Sequence, residues 1–157
     1  MSADPPTFDL QSHSLHSDGA LEPGDVVATA AQEGVELLAL SDHDTVDGVQ
    51  AAADAAAGLG VRLAPAVEIS SVDRNKQDLH VLGYQIDHHD QALRERLRDW
   101  REDRERRAEA MADALRELGY ELDDSEIARR KAQGKPIGRP HIADAVVHHP
   151  ANSQRLH

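Results

Sequence analysis

The stretch VELLAL, residues 35–40, restricts the fold more than any other feature of the chain. It is too short for a stable helix and almost continuously apolar, as expected for a strand buried on both faces. A helical pattern lies on each side of it. Pro23-Gly24-Asp25 introduces the first, which runs through DVVATAAQE to a stop at Gly34. The second, TVDGVQAAADAAAGLG, is rich in alanine and ends at Gly58 or Gly60. Further strands are expected at Phe8-Asp9-Leu10, at VRLAPAVEI (61–69) and at LHVLGYQI (79–86). Strand, helix, strand, helix, strand requires right-handed crossovers, and so an α/β fold with a parallel sheet or barrel.

The next connection departs from that pattern. SSVDRNKQD is too short for the crossover that parallel strands need, so a hairpin-like reversal is expected. It would bring His80, at the start of the fourth strand, beside Glu68 at the end of the third. Residues 90–118 then read as one long charged helix. Leu93, Leu97, Trp100, Met111, Leu115 and Leu118 form an apolar stripe opposite RERLRDWREDRERR. Glu and Asp interleaved with those arginines favour a solvated, salt-bridged face over a nucleic-acid arm. A short helix is expected within DDSEIARRKAQG, and a last one opens at GRPHIADAVV with Pro140 in its first turn. The boundaries expected are 1–89 for the α/β part, 90–147 for the helical segment and 148–157 for an irregular tail that buries little.

Composition removes several function classes. Asp and Glu number 29 against 17 Lys and Arg, a formal charge of −12 that argues against duplex nucleic acid or anionic membranes as partners. A phosphorylated substrate would need a locally positive site. Cysteine is absent, which excludes disulfides and thiolate metal sites. MSADPPTF lacks the basic-then-apolar pattern of a secretion signal, and no apolar run reaches the roughly 18 residues of a membrane helix. A cytoplasmic protein is the expectation.

Histidines and carboxylates recur where strands are expected to end: His13 and Asp18, Asp42-His43-Asp44, Glu68, and His80. The carboxyl ends of parallel strands open onto one face, where sites form. Mixed imidazole and carboxylate donors suit zinc, manganese or iron. Singly, each residue has a plainer role. His13 or His80 suits a hydrogen-bonded strand histidine, Asp18-Gly19 a turn, and Asp44-Thr45 the N-cap of the second helix. Glu68 is harder to place so, because a carboxylate in an apolar strand needs a partner.

DLQSHSLHSDG, LALSDHDTVDG, APAVEIS and LHVLGY follow in order the pattern of the polymerase and histidinol phosphatase (PHP) family. The resemblance covers about residues 7–86 and extends through GRPHIADAVV. It implies the N-terminal portion of a distorted (β/α)7 barrel and up to three divalent metal ions. The reaction it implies is phosphoester hydrolysis by a metal-activated water, on nucleotides or short RNA. By that resemblance His13 is the surviving member of a His-x-His ligand pair, whose leading position is Gln11 here, counted as a metal ligand through its side-chain carbonyl oxygen. Asp18 and His43 would hold one metal, Glu68 would bridge two others, and His80 and His141 would be further ligands. Arg139 would grip a phosphate. Asp44 is placed with it among the catalytic groups, and Asp42 and Asp44 flank His43 where they could orient its ring. His16 falls in a variable spacer and is accessory. A closed barrel takes about 250 residues, so the chain is expected to be truncated, without the family's later Asp-x-His pair. Two alternatives follow: a non-catalytic half-barrel that binds metal or self-associates through its open sheet edge, and a histidinol-phosphate phosphatase.

Overall fold

The computed structural model describes residues 7–72, 78–133 and 135–153. The chain divides into two compact units, Met1–Arg98 and Asp99–His157, within the long helix rather than ahead of it. In the first unit, β1 (Phe8–Ser12), α1 (Pro23–Gln32), β2 (Leu37–Leu40), α2 (Val49–Leu59), β3 (Arg62–Val72) and β4 (Asp78–Tyr84) follow in sequence. The four strands make one sheet in the order β1-β2-β3-β4. β1, β2 and β3 are parallel, and β4 returns antiparallel to β3, as the short connection requires. The residues joining β3 to β4, 73–77, lie outside those described.

Alternation along the strands sorts side chains onto two faces. Leu38 and Leu40 point to the helix side and pack with Val27 of α1, Ala52 and Ala56 of α2, and Val61. Alanine at 52 and 56 lets α2 lie close to the sheet, and Leu38, Leu40 and Val27 are essentially fully buried. The opposite face carries the small residues Ala39, Ala64 and Ala66, packed with Leu37. Across it the Tyr84 hydroxyl of β4 donates to the Leu10 carbonyl of β1 at 2.9 Å. Three strand spacings would separate those edges by about 14 Å in a flat sheet, beyond the reach of a tyrosine. The sheet is therefore curled, forming a half-barrel.

Two local features re-aim the chain at the end of the sheet that carries the site. Phe8 and Asp9 pair with Leu37 and Leu38, but Ser12 pairs with Leu40, so two residues of β1 oppose Ala39. That register shift turns Gln11 away from the helix side of Leu38 and Leu40 and onto the face that carries Glu68. Beyond β2, Asp44 adopts a left-handed φ of 54°. The expected start of α2 at Thr45 is consequently late: Thr45 Oγ1 accepts from the Asp47 amide, and the helix begins after Gly48.

The long helix is α3 (Gln91–Glu117), followed by α4 (Asp124–Ala132), α5 (Arg139–Val147) and a 3₁₀ turn, Pro150–Asn152. In the second unit Ala108 and Ala112 of α3 pack with Leu122, Ile137, Ile142, Ala145 and Val146, with Met111 and Leu115 at the margin. Leu118, expected in the stripe, is 68% exposed because the helix has ended and Gly119 turns the chain away at φ 81°. The polar face carries the expected ion pairs, Asp103 with Arg106 and Arg107, and Asp113 with Arg116. The start of the tail is not irregular. Asn152 is buried, donates to the Glu121 and Val146 carbonyls, and accepts from the Glu121 amide.

Candidate metal centre

The site lies where β1 and β2 end and where β3 leaves its parallel pairing with β2. After β2 the backbone stays bonded to β3: the Asp44 amide donates to the Glu68 carbonyl at 3.0 Å, and the Glu68 amide to the Asp42 carbonyl at 3.2 Å. This bridge sets His43 beside Glu68. Glu68 does not end its strand, as the sequence suggested. It marks where parallel pairing with β2 stops, while antiparallel pairing with β4 continues through Val72. His80 pairs with Ser70, two positions along from Glu68 and on the same face.

The β1–α1 loop carries His13 and Asp18. It is held by a buried network in which Asp42 accepts from the Ser14 amide (2.7 Å), the Ser14 hydroxyl (2.6 Å) and the Ser17 hydroxyl (2.6 Å). Ser17 Oγ in turn lies 3.3 Å from His13 Nδ1. Asp42 was expected to orient His43, and these bonds tie it to the loop that carries His13. Asp44 is buried, and its Oδ1 accepts from the Ser70 amide at 2.9 Å. Ser70 Oγ reaches to 3.4 Å from His43 Nδ1. Ser14, Ser17 and Ser70 drew no attention in the sequence, since serine is ordinary loop material. For Ser14 and Ser17 the S-x-x-S-D-G spacing of residues 14–19 is the one signal that could have found them, and Ser70 has none.

These supports bring five side chains together. His13 Nδ1 lies 3.2 Å from Asp18 Oδ1 and its Nε2 lies 3.1 Å from Glu68 Oε2. His43 lies 3.5 Å from Asp18 and 3.7 Å from Glu68, through different ring nitrogens. His80 Nδ1 contacts Glu68 Oε1, and Gln11 Nε2 donates to Glu68 Oε2 at 2.8 Å. The His43 ring centroid is 4.7 Å from that of His13 and 4.9 Å from that of His80. Donor atoms of His13, Asp18 and His43 fall within 4.8 Å of one another, as do those of His43, Glu68 and His80. His141 and Arg139 belong to the second unit, on the first turn of α5, where His141 Nδ1 accepts from the Gly138 amide at 3.0 Å.

Burial and the neighbouring charges pull against each other at His13 and Glu68. Burial works against a charged His13, but the hydrogen bond and charge of Asp18, with the charges of Glu68 and Asp42, outweigh it and raise its pKa above the ordinary histidine value. Burial also pushes Glu68 up, yet the Gln11 hydrogen bond, His43, His80 and His13 together hold its carboxyl below the usual range. A buried carboxylate ringed by imidazoles fits a divalent transition ion, since nitrogen and oxygen donors are both present and thiolate is absent.

A half-barrel sheet with imidazoles and carboxylates gathered at the carboxyl ends of its strands defines an α/β protein of metal-site type. The model of the PHP domain matches residues 9–112, and the chain belongs to that family. A 5′-3′ exoribonuclease Rnm of Salmonella typhimurium is 37% identical over 142 residues, covering 89% of this chain and 48% of the relative. A 3′,5′-nucleoside bisphosphate phosphatase of Chromobacterium violaceum is 41% identical over 140 residues, covering 89% and 49%. Among solved structures, a putative metal-dependent phosphoesterase of Bifidobacterium adolescentis superposes with a TM-score of 0.77 at 31% identity, covering 90% of this chain and 50% of that one. The chain thus spans about half the length of the curated relatives it matches. No helix among the described residues is long and apolar enough to cross a membrane.

Proposed function

We propose that this chain carries the metal centre of a phosphoesterase acting on nucleotide or short oligonucleotide phosphoesters. The observation that carries the reading is the meeting of His13, His43 and His80 with Asp18 and Glu68 in two donor groups that share His43. Those five residues would hold manganese, zinc or iron. Such an ion, when bound, lowers the pKa of a water and neutralises phosphate oxygens, which offsets the repulsion of an acidic chain for its substrate. Asp42 and Asp44 act as positioning groups, the first through the Ser14–Ser17 loop and the second through the β2–β3 bridge. By the family resemblance alone, Arg139 is assigned to a substrate phosphate, which a guanidinium binds in two-pronged fashion, and His141 to a metal ion. The exoribonuclease and the bisphosphate phosphatase among the relatives support this substrate class.

The test is metal content together with hydrolysis of a nucleoside 3′,5′-bisphosphate and of a short 5′-phosphorylated RNA, with and without manganese. Glu68→Gln is expected to lower manganese affinity by more than about 100-fold, beyond the loss usual for an outer-shell partner, and to abolish turnover. A folded protein that takes up no divalent cation and cleaves neither substrate would end the reading. The exposed strand β1, with Phe8 64% and Leu10 37% exposed, favours a second reading. In it the half-barrel binds metal and pairs with another copy without catalysis, and metal uptake without turnover would select it.

A further inference from the structure

Gln11 stands in the site without being an ionisable ligand, and its contact with Glu68 fixes which way its amide faces. A carboxylate only accepts hydrogen bonds, so at 2.8 Å from Glu68 Oε2 the Gln11 side chain must present its NH2 group, not its carbonyl. The register shift between Asp9 and Ser12 puts it there. Without the extra residue in β1, strand alternation would turn Gln11 to the helix side of the sheet. Its backbone is held in place as well, the Gln11 amide donating to Asp9 Oδ1 at 3.0 Å.

The two oxygens of Glu68 therefore face different company. Oε2 receives Gln11 Nε2 and lies 3.1 Å from His13 Nε2, while Oε1 faces His80 Nδ1 and His43 Nδ1. We propose that Gln11 limits Glu68 as a bridging ligand: its amide draws on Oε2, leaving Oε1 the stronger donor to a cation, so a second ion shared through Oε2 is bound weakly in this chain. The inference rests on the metal-centre reading above. Gln11 is a positioning residue here, and it limits how many ions share the centre.

Manganese is the probe, since ions that share a carboxylate give a spin-coupled electron paramagnetic resonance spectrum and isolated ions do not. In the wild-type chain bound manganese is expected to show only the uncoupled six-line signal. Gln11→His replaces the donor with a ligand. It is expected to raise the calorimetric stoichiometry by one equivalent and to bring in the coupled signal. Gln11→Ala frees Oε2 without adding a ligand, and the coupled signal is expected there at several-fold higher manganese. Gln11 is exposed on an edge strand, so by circular dichroism both variants should keep a single cooperative melt, lowered somewhat where Glu68 loses its donor. A coupled signal in the wild type, or variants that bind manganese as the wild type does, overturns the role of Gln11 alone. Failure of all three proteins to bind manganese overturns the metal centre itself.

Discussion

At the scale of single residues, Gly19 shows how tightly the His13 loop is wound. A Cβ there would lie 2.3 Å from the His13 carbonyl oxygen and 2.7 Å from the Ser14 nitrogen, both backbone atoms that cannot swing aside. The Gly19 amide also donates to the Ser14 carbonyl at 2.9 Å, which fixes this close approach. Gly19→Ala is expected to cost about 1–3 kcal/mol, the usual range for overpacking, and to weaken manganese binding because His13 and Asp18 sit on the displaced loop. Urea denaturation and calorimetric titration check the two effects. Asp42→Asn should behave similarly without any clash. An amide cannot accept all three of the Ser14 and Ser17 donors, and a donor left buried without its partner costs about 1–3 kcal/mol. That His13, Asp18, His43, Glu68 and His80 meet could be expected from the sequence because all recur where strands were expected to end, although each alone has an ordinary use. The serines beneath them could not be, since what distinguishes Ser14 is a burial that only the folded loop creates.

At the scale of elements, the limits of legibility follow from what is local. The β3–β4 hairpin could be read because chain length alone forbids a crossover between those strands. The start of α2 could not, because it depends on the Asp44 backbone, whose turn is held by bonds to Glu68 and Ser70 on another strand. The end of α2 was left between two glycines, and the structure separates their roles. Gly58 lies inside the helix, whereas Gly60 is the C-cap, left-handed at φ 73°. A Cβ at either position meets nothing within 4 Å, so only backbone preference distinguishes them. Gly58→Ala is therefore expected to stabilise the protein by about 0.5–1 kcal/mol, through a better helix former. Gly60→Ala is expected to destabilise it by about 1–2 kcal/mol, the cost of a left-handed L-residue. Opposite shifts in thermal melts would confirm the assignment, and shifts of one sign would contradict it.

At the scale of the whole molecule, the half-barrel meets a problem that a closed barrel avoids. Among the described residues β1 pairs on one side only, through β2, so its other edge presents backbone groups to any strand that can take them. Phe8 and Leu10 on β1 and Tyr84 on β4 are exposed beside the alanine floor of the curled face, where apolar cover would be favourable. Against association stands the formal charge of −12, which makes two copies repel. Screening falls on that repulsion and leaves apolar contact intact. Self-association should thus be weak at low ionic strength and strengthen as salt rises, the reverse of a salt-bridged interface. Sedimentation velocity over a range of protein and sodium chloride concentrations measures this directly. Phe8→Lys adds a charge at the exposed edge and should hold the chain monomeric at salt concentrations where the wild type associates. Its manganese binding should not change, because Phe8 lies at the opposite end of β1 from Gln11 and His13. A wild-type chain that stays monomeric throughout, or a Phe8→Lys variant that associates equally well, would show that the open edge is already protected.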